Sequence, residues 1–290
     1  MTALALGAAV LLLAALAVSY WGAGLLLSPP FMSAMTVFPE RFGAAYEKVA
    51  FLSDDGHALS GWFLASPRGR DETVVVCHGW GDNKGEILEH TLFLNRDCGY
   101  NLFYFDFRGH GESAPSPVTM GKLELVDLEA ALAWAKAKRP GPLALFGISM
   151  GAAVAAQALA RHPEVAAAVL ESPFARYRLV GGRWAWNHYR VPYFPLVWLL
   201  MRWLRVRSGH ADIDSYDPEE AVGAAKTPVF FIVGERDELM PPQDVRRVHD
   251  RAGGPKDCWV VPGAVHGKCR PAATTEYDAR VGAFYRARLG

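Results

Sequence analysis

The sequence has no excess of either charge: 30 Lys and Arg stand against 30 Asp and Glu. A balanced chain offers no electrostatic footprint for nucleic acid and no polybasic patch for a membrane surface. Cysteine is scarce, and the four present, Cys77, Cys98, Cys258 and Cys269, form no C-x-x-C pair. In a chain of 290 residues they make no disulfide framework, and they leave the redox compartment open. Cys77 closes an apolar run and reads as a small buried hydrophobe. The nine histidines show neither H-E-x-x-H nor another paired spacing, so no metal is expected. The glycines lack the spacing of a phosphate loop or a dinucleotide fingerprint, so no cofactor is expected either. Internal repeats and low-complexity stretches are also missing.

Charge is missing in one further place, the run from Ala3 to Leu27. That run is long enough to cross a bilayer as a helix. Tyr20 and Trp21 lie toward its far end, and Ser28-Pro29-Pro30 then stops it. Residues 1–30 therefore read as an uncleaved transmembrane anchor. A cleaved signal peptide is the competing reading, but no Lys or Arg precedes the run and no small-x-small site closes it. A buried soluble helix is a third reading, opposed by the lack of a polar face. Orientation is not legible, because the tail before the run is uncharged and the first charges after it are Glu40 and Arg41. Phe31 to Ala44 reads as a linker.

Residues 31–290 read as one catalytic domain, since 51% hydrophobic content suffices for one sizeable core. Two strands, Tyr46–Leu52 and Ala58–Ala65, are joined by the turn-rich Ser53-Asp54-Asp55-Gly56-His57. Thereafter apolar runs alternate with helical patterns. Strands are expected at Thr73–Cys77, Leu102–Phe107, Leu143–Phe146, Val165–Leu170, Val229–Val233 and Cys258–Val261. Helices are expected at Lys84–Arg96, Leu123–Lys138, Ala152–Ala160, Pro242–Arg251 and Ala272–Leu289. This alternation predicts an α/β fold, a mostly parallel sheet covered by helices on both faces. One segment, about 174–225, is far too long for a single crossover and reads as an inserted helical cap. It is rich in rings, among them Trp184, Trp186, Tyr189, Tyr193, Phe194, Trp198 and Trp203. Some of these must pin the cap to the core. Trp184, Trp186 and Tyr189 are the candidates for lining an apolar substrate pocket.

The most informative stretch is Leu143-Ala-Leu-Phe-Gly-Ile-Ser-Met-Gly151. A buried strand running through G-x-S-x-G into an alanine-rich helix is a nucleophile elbow, which lifts the Ser149 hydroxyl above the sheet. A serine hydroxyl needs a base, and the base needs an orienting carboxylate. In an open parallel sheet reactive groups gather beyond the carboxyl ends of the strands. Downstream of Ser149, Asp237 and His266 each follow such a strand end. Glu235 lies on the same loop as Asp237, while Asp97 and Asp106 precede the elbow. His78 and His110 are expected to shape their glycine-rich loops, and His90, His162 and His249 to lie at the surface. The charge that develops on an acyl carbonyl oxygen needs two fixed backbone N–H groups. Those of Met150, at the start of the helix, and Trp80, in the loop after Thr73–Cys77, are the candidates.

Taken together, His78-Gly-Trp-Gly81, Asp106-Phe-Arg-Gly-His-Gly-Glu-Ser113, Gly147-Ile-Ser-Met-Gly151, Gly234-Glu-Arg-Asp237 and Gly263-Ala-Val-His266 resemble the α/β-hydrolase superfamily. The likeness covers roughly Tyr46 to Leu289. It is nearest to the single-pass, membrane-anchored serine hydrolases described as esterases, lysophospholipase-like or prolyl-oligopeptidase-like proteins. The resemblance implies an eight-stranded sheet with only the second strand antiparallel, a Ser149–Asp237–His266 triad, and a structural role for the Asp106 loop. The oxyanion loop is not the HGGG type of many lipases, which argues against a long-chain triglyceride. The expected activity is hydrolysis of carboxylic esters or thioesters of an apolar or lipid-derived acyl group. An acyltransferase, a serine peptidase and a non-catalytic membrane-tethered binding protein remain as alternatives.

Overall fold

Strands that are apolar along nearly their whole length need cover on both faces, and the central strands of this chain are of that kind. The computed structural model describes residues 2–28, 34–210, 212–213 and 217–289. Among them lie β1 (Glu47–Leu52), β2 (Ala58–Leu64), β3 (Thr73–Cys77), β4 (Asn101–Phe105), β5 (Leu143–Ile148), β6 (Val165–Glu171), β7 (Val229–Gly234) and β8 (Lys256–Val261). They form one sheet in the order β1-β2-β4-β3-β5-β6-β7-β8. β2 is antiparallel to both its neighbours and every other pairing is parallel, as the resemblance implies.

Alternation along each strand divides the interior into two cores. Val75, Phe103, Phe105, Leu145, Ala168, Phe231 and Val233 point to one face. Val74, Val76, Leu102, Tyr104, Phe146, Val169 and Ile232 point to the other. On the first face pack α4 (Lys122–Lys138), α5 (Met150–Ala158) and α9 (Pro242–Arg251). On the second pack α2 (Leu88–Thr91), α3 (Phe93–Arg96), α10 (Cys269–Ala272) and α11 (Thr274–Leu289). Burying each such Val, Leu or Phe contributes roughly 1.5–3 kcal/mol relative to leaving it exposed.

Between β6 and β7 stand α6 (Tyr177–Tyr189), a π-type turn (Tyr193–Val197), α7 (Trp198–Ser208) and α8 (Pro218–Ala221). These make the cap. An N-terminal helix, α1 (Thr2–Leu27), is long and apolar enough to cross a membrane over Ala3–Leu27. Its first half projects from the molecule, with Leu4 82%, Leu6 68%, Leu11 73% and Leu13 65% exposed. Pro29 and Pro30, read as its stop, and residues 31–33 lie outside the described residues.

Three expectations need correction. The helix expected at Lys84–Arg96 is two short pieces, α2 and α3. The Asn83 side-chain oxygen accepts the N–H groups of Gly85 (2.9 Å) and Glu86 (3.3 Å) and holds the start as a turn. The closing helix starts two residues later than expected, at Thr274, because Ala273 (φ −148°, ψ 48°) separates it from the short α10. The described part of the linker is packed rather than loose. Met35, Val37, Phe38 and Phe42 pack against the second core, and Phe38 meets the buried Trp62 at 5.6 Å between ring centroids.

A close approach that positions the site is at the start of α5. A Cβ on Gly151 would stand 2.3 Å from the Cys77 carbonyl oxygen and 2.6 Å from that of His78. Gly-to-Ala within a helix ordinarily gains about 1 kcal/mol. Here the sign reverses: Gly151→Ala is expected to lower stability by about 2–3 kcal/mol in urea unfolding, because β3 and α5 must separate.

Candidate active site

β5 delivers Ser149 at its carboxyl end and α5 begins one residue later. Ser149 takes φ 55°, ψ −117°, a strained conformation for a residue with a Cβ. Its N–H donates to the Glu171 carbonyl at the end of β6 (2.8 Å), and its own carbonyl accepts the Ala153 N–H (3.1 Å). Both bonds hold the turn closed.

The structure brings Ser149, His266 and Asp237 into one chain of contacts. His266 Nε2 lies 3.0 Å from Ser149 Oγ, and His266 Nδ1 lies 2.8 Å from Asp237 Oδ2. Because Asp237 only accepts as a carboxylate, Nδ1 carries the proton and Nε2 is free to accept one. The Asp237 side chain is fully buried, whereas His266 keeps 28% of its side chain exposed. Asp237 Oδ1 accepts the N–H groups of Leu239 (3.1 Å) and Met240 (2.7 Å), which fixes the carboxylate plane. The rival Glu235 is turned away and accepts the Gly263 N–H at 2.8 Å. Asp106 is equally committed, to Lys84 Nζ (2.5 Å) and to the N–H groups of Lys84 (2.7 Å) and Glu112 (2.8 Å).

Sequence reasoning missed Ser172. Its hydroxyl donates to Asp237 Oδ2 at 2.8 Å, onto the oxygen that also accepts from His266, and its φ of 51° directs it there. The signal was present, since Ser172 directly follows β6 at the end of the sheet where the reactive loops gather. His90 departs from the surface position expected of it. It is no surface residue: it lines the cavity and pairs with the fully buried Glu171 at 2.8 Å. Burial alone would raise the Glu171 carboxyl, but His90, the Tyr277 hydroxyl (2.6 Å) and the Cys269 thiol hold it below its ordinary range.

A cavity of about 590 Å³ opens over Ser149. One wall is apolar: Leu26 of α1, Trp80, Met120, Val180 and Trp184 of α6, and Leu239. The other is polar: Asp82, Glu86, Glu89, His90, Lys268 and Arg270. Arg270 Nη1 donates to the Glu89 carbonyl at 2.8 Å and ties that wall together. Of the three rings expected to line the pocket, only Trp184 does so. Trp186 and Tyr189 are 50% and 61% exposed and lie outside the lining. The cause is helical phase. Tyr177, Val180, Gly181 and Trp184 repeat at three- and four-residue steps and share the inward face, which Trp186 and Tyr189 miss.

Trp80, in the loop after β3, lines the cavity with Ser149, and Met150 follows Ser149 directly. Met150 is the first residue of α5, so its N–H has no partner within the helix and sits at the positive end of the helix dipole. The backbone before Trp80 passes close by: a Cβ on Gly79 would stand 3.6 Å from Ser149 Cβ. Two histidines brace this loop. His78 donates from Nδ1 to the Gly79 carbonyl (2.7 Å) and accepts the Phe107 N–H at Nε2 (3.1 Å). His110 donates from Nδ1 to the Arg108 carbonyl (2.9 Å) and accepts the Gly81 N–H at Nε2 (3.2 Å).

The sheet order, the elbow and the cap define an α/β hydrolase. The chain belongs to the serine aminopeptidase S33 family of these hydrolases, whose model matches residues 68–220. It is 32% identical over 241 residues to an uncharacterized protein of Mycobacterium tuberculosis, covering 82% of this chain and 76% of that protein. It is 25% identical to the α/β hydrolase domain-containing protein WAV2 of Arabidopsis thaliana, over 77% of this chain and 72% of that one. Among solved structures, the Pyrococcus furiosus esterase Pf2001 is 28% identical and superposes with a TM-score of 0.76, covering 91% of this chain and 99% of that one.

Burial pushes His78 well below the ordinary imidazole value of 6.5, and burial likewise lowers His110 against the opposing pull of the Arg108 carbonyl. In the unfolded chain both protonate near the ordinary value, so below it the unfolded state binds more protons. Their contribution to stability is complete above about pH 6.5 and is lost as pH falls from there through the depressed folded-state values. The melting temperature is therefore expected to fall between about pH 7.5 and pH 5.5. His110→Gln, which keeps an acceptor for the Gly81 N–H, is expected to show a shallower decline.

Proposed function

We propose that this chain is a serine hydrolase that cleaves carboxylic esters or thioesters of apolar, lipid-derived acyl groups, held at a membrane by α1. The observation that carries the reading is the contact chain Ser149–His266–Asp237 opening on a cavity with one apolar wall. Ser149 Oγ attacks the acyl carbonyl while His266 Nε2 takes its proton. Asp237 holds the imidazole in the required tautomer and stabilises the imidazolium. The N–H groups of Trp80 and Met150 receive the oxyanion, each such donor being worth roughly 2.7–4 kcal/mol. His266 returns the proton to the departing alcohol or thiol, leaving Ser149 acylated. Water, deprotonated by His266, then releases the acid and restores the hydroxyl. The likeness to the Pyrococcus furiosus esterase over nearly the whole of both chains supports an ester substrate.

The membrane part of the reading rests on the first half of α1. Leu4, Leu6, Val10, Leu11, Leu12 and Leu13 are more than half exposed, and in water that contiguous apolar surface would be unfavourable by about 25 cal/mol per Å². A peptidase is the second reading, favoured by the family's description and by Asp82, Glu86 and Glu89 in the polar wall, which suit a substrate ammonium.

Labelling by a fluorophosphonate is expected in the wild type and absent in Ser149→Ala. Asp237→Asn is expected to lower kcat on a short acyl ester about 10⁴-fold. Equal labelling of wild type and Ser149→Ala would remove Ser149 as nucleophile, and faster turnover of aminoacyl amides than of acyl esters would replace the ester reading by the peptidase one. In carbonate-washed membranes the full-length chain is expected in the pellet. Recovery of a soluble chain lacking residues 2–27 would instead make α1 a signal sequence.

A further inference from the structure

A simple tether needs no contact with the domain it holds, yet the last two turns of α1 are docked. Ala23 and Leu27 are buried, at 0% and 4% exposure. The Tyr20 ring meets Trp203 of α7 edge-on at 5.3 Å. The Arg207 guanidinium lies 4.4 Å from the centre of the Tyr20 ring and donates to the Tyr20 carbonyl at 3.2 Å. Arg207 also closes over Gly24, where a Cβ would stand 2.9 Å from its Nη2. At the end of the helix the Leu27 carbonyl accepts the Val118 N–H at 2.7 Å. Leu26, held between these attachments, lines the same cavity as Ser149.

We propose that Leu26 is a specificity-determining residue, and that the acyl chain of the substrate runs from Ser149 along the end of α1 and the inner face of α6. Trp80, Val180 and Trp184 of the cap, Leu26 and Met120 all line the cavity, and the Trp80 and Trp184 rings meet edge-on at 6.5 Å between centroids. Met120 lies two residues beyond Val118, which bonds the end of α1. Side chains from the N-terminal helix and from the cap thus share one wall. A chain laid against it excludes water from all of these surfaces at once, which rewards each methylene added by roughly fourfold until the wall ends. The polar wall, with Lys268, Arg270, Glu86 and Glu89, is left to a polar leaving group, so the substrate class is a single-chain amphiphilic ester or thioester. The inference rests on the acyl-hydrolase reading, and the size of the side chain at position 26 sets the chain length admitted.

The test uses the full-length chain in detergent micelles and alkyl fluorophosphonates with ethyl, octyl and dodecyl chains, which react at Ser149 without requiring ester turnover. The ratio of dodecyl to ethyl labelling rate is measured for wild type, Leu26→Trp, Leu26→Ala and Leu11→Trp. Leu11 lies on the exposed half of α1 and serves as the control. Leu26→Trp is expected to lower the ratio at least tenfold, Leu26→Ala to raise it, and Leu11→Trp to leave it unchanged. If thermal melting shows that Leu26→Trp is unfolded, Leu26→Ala decides. The same ratio in all four proteins overturns the inference. An ester panel run alongside separates the two readings. Chain-selective labelling without ester turnover would sink the ester chemistry and keep the wall, whereas ester turnover with a ratio indifferent to residue 26 would sink the wall alone.

Discussion

At Ser149 the backbone occupies a region that costs a residue with a side chain about 1–3 kcal/mol, and such a turn persists only where its neighbours over-determine it. Here they do so from three sides. The Ser149 N–H is held by the end of β6, its carbonyl by α5, and the helix start is pressed against the end of β3. Only the missing side chain at Gly151 permits that last contact. The hydroxyl is thereby set at the edge of the sheet where the loops after β3, β6, β7 and β8 meet. The strain at one residue and the burial of five parallel strands are two sides of one constraint, since the strands fix the frame against which the turn is bent.

Loops that converge above a sheet bring buried polar backbone with them, and each group needs a partner. The partners here are side chains that tie one loop to the next. His78 joins the loop after β3 to Phe107, and His110 joins the loop after β4 back to Gly81. Lys84 reaches Asp106 and Glu112 across the same gap, with its ammonium 4.7 Å from the centre of a Trp62 ring. Buried ion pairs of this kind add little net stability, because desolvation offsets the attraction. Losing one partner, however, strands a charge and costs about 3–5 kcal/mol. Their physical effect is registry: each loop has one low-energy position relative to its neighbour. Ser172, which bridges β6 to Asp237, extends the same principle to the carboxylate that orients His266.

The meeting of Ser149, Asp237 and His266 was legible because each follows an apolar run that can only be a strand, and strand ends gather at one edge. Strand positions were legible for the same reason, with ends displaced by a residue or two. What could not be read was anything decided by a partner distant in the chain. A single helix through residues 84–96 places His90 at the surface. The Asn83 turn rotates the pieces that follow, and Glu171, 81 positions away, captures the imidazole. Trp186 and Tyr189 failed for another reason: the cap has aromatic residues on several faces of α6, so composition marks an apolar segment without marking which side faces inward. Only Tyr177, Val180, Gly181 and Trp184 keep one phase, and that phase stands out once the cavity is known.

The N-terminal helix carries this limit furthest. From Ala3 to Leu27 every position but Tyr20 is apolar or small, and Ser19 and Tyr20 carry the only hydroxyls of that run. A helix apolar all round has no phase to read, and nothing in its periodicity separates a surface that meets lipid from one that meets protein. The distinction lies in side-chain size and in the partner. Gly22, Ala23 and Gly24 lower the helix surface over one turn, and α7 answers with Leu200, Trp203 and Arg207 on the face that its core-packed residues Met201 and Leu204 leave open. Large residues before that turn keep their exposure and small ones within it permit contact, so one uninterrupted apolar run contains two different surfaces. The division falls about two turns before the helix ends, and that is why its final leucines belong to the domain.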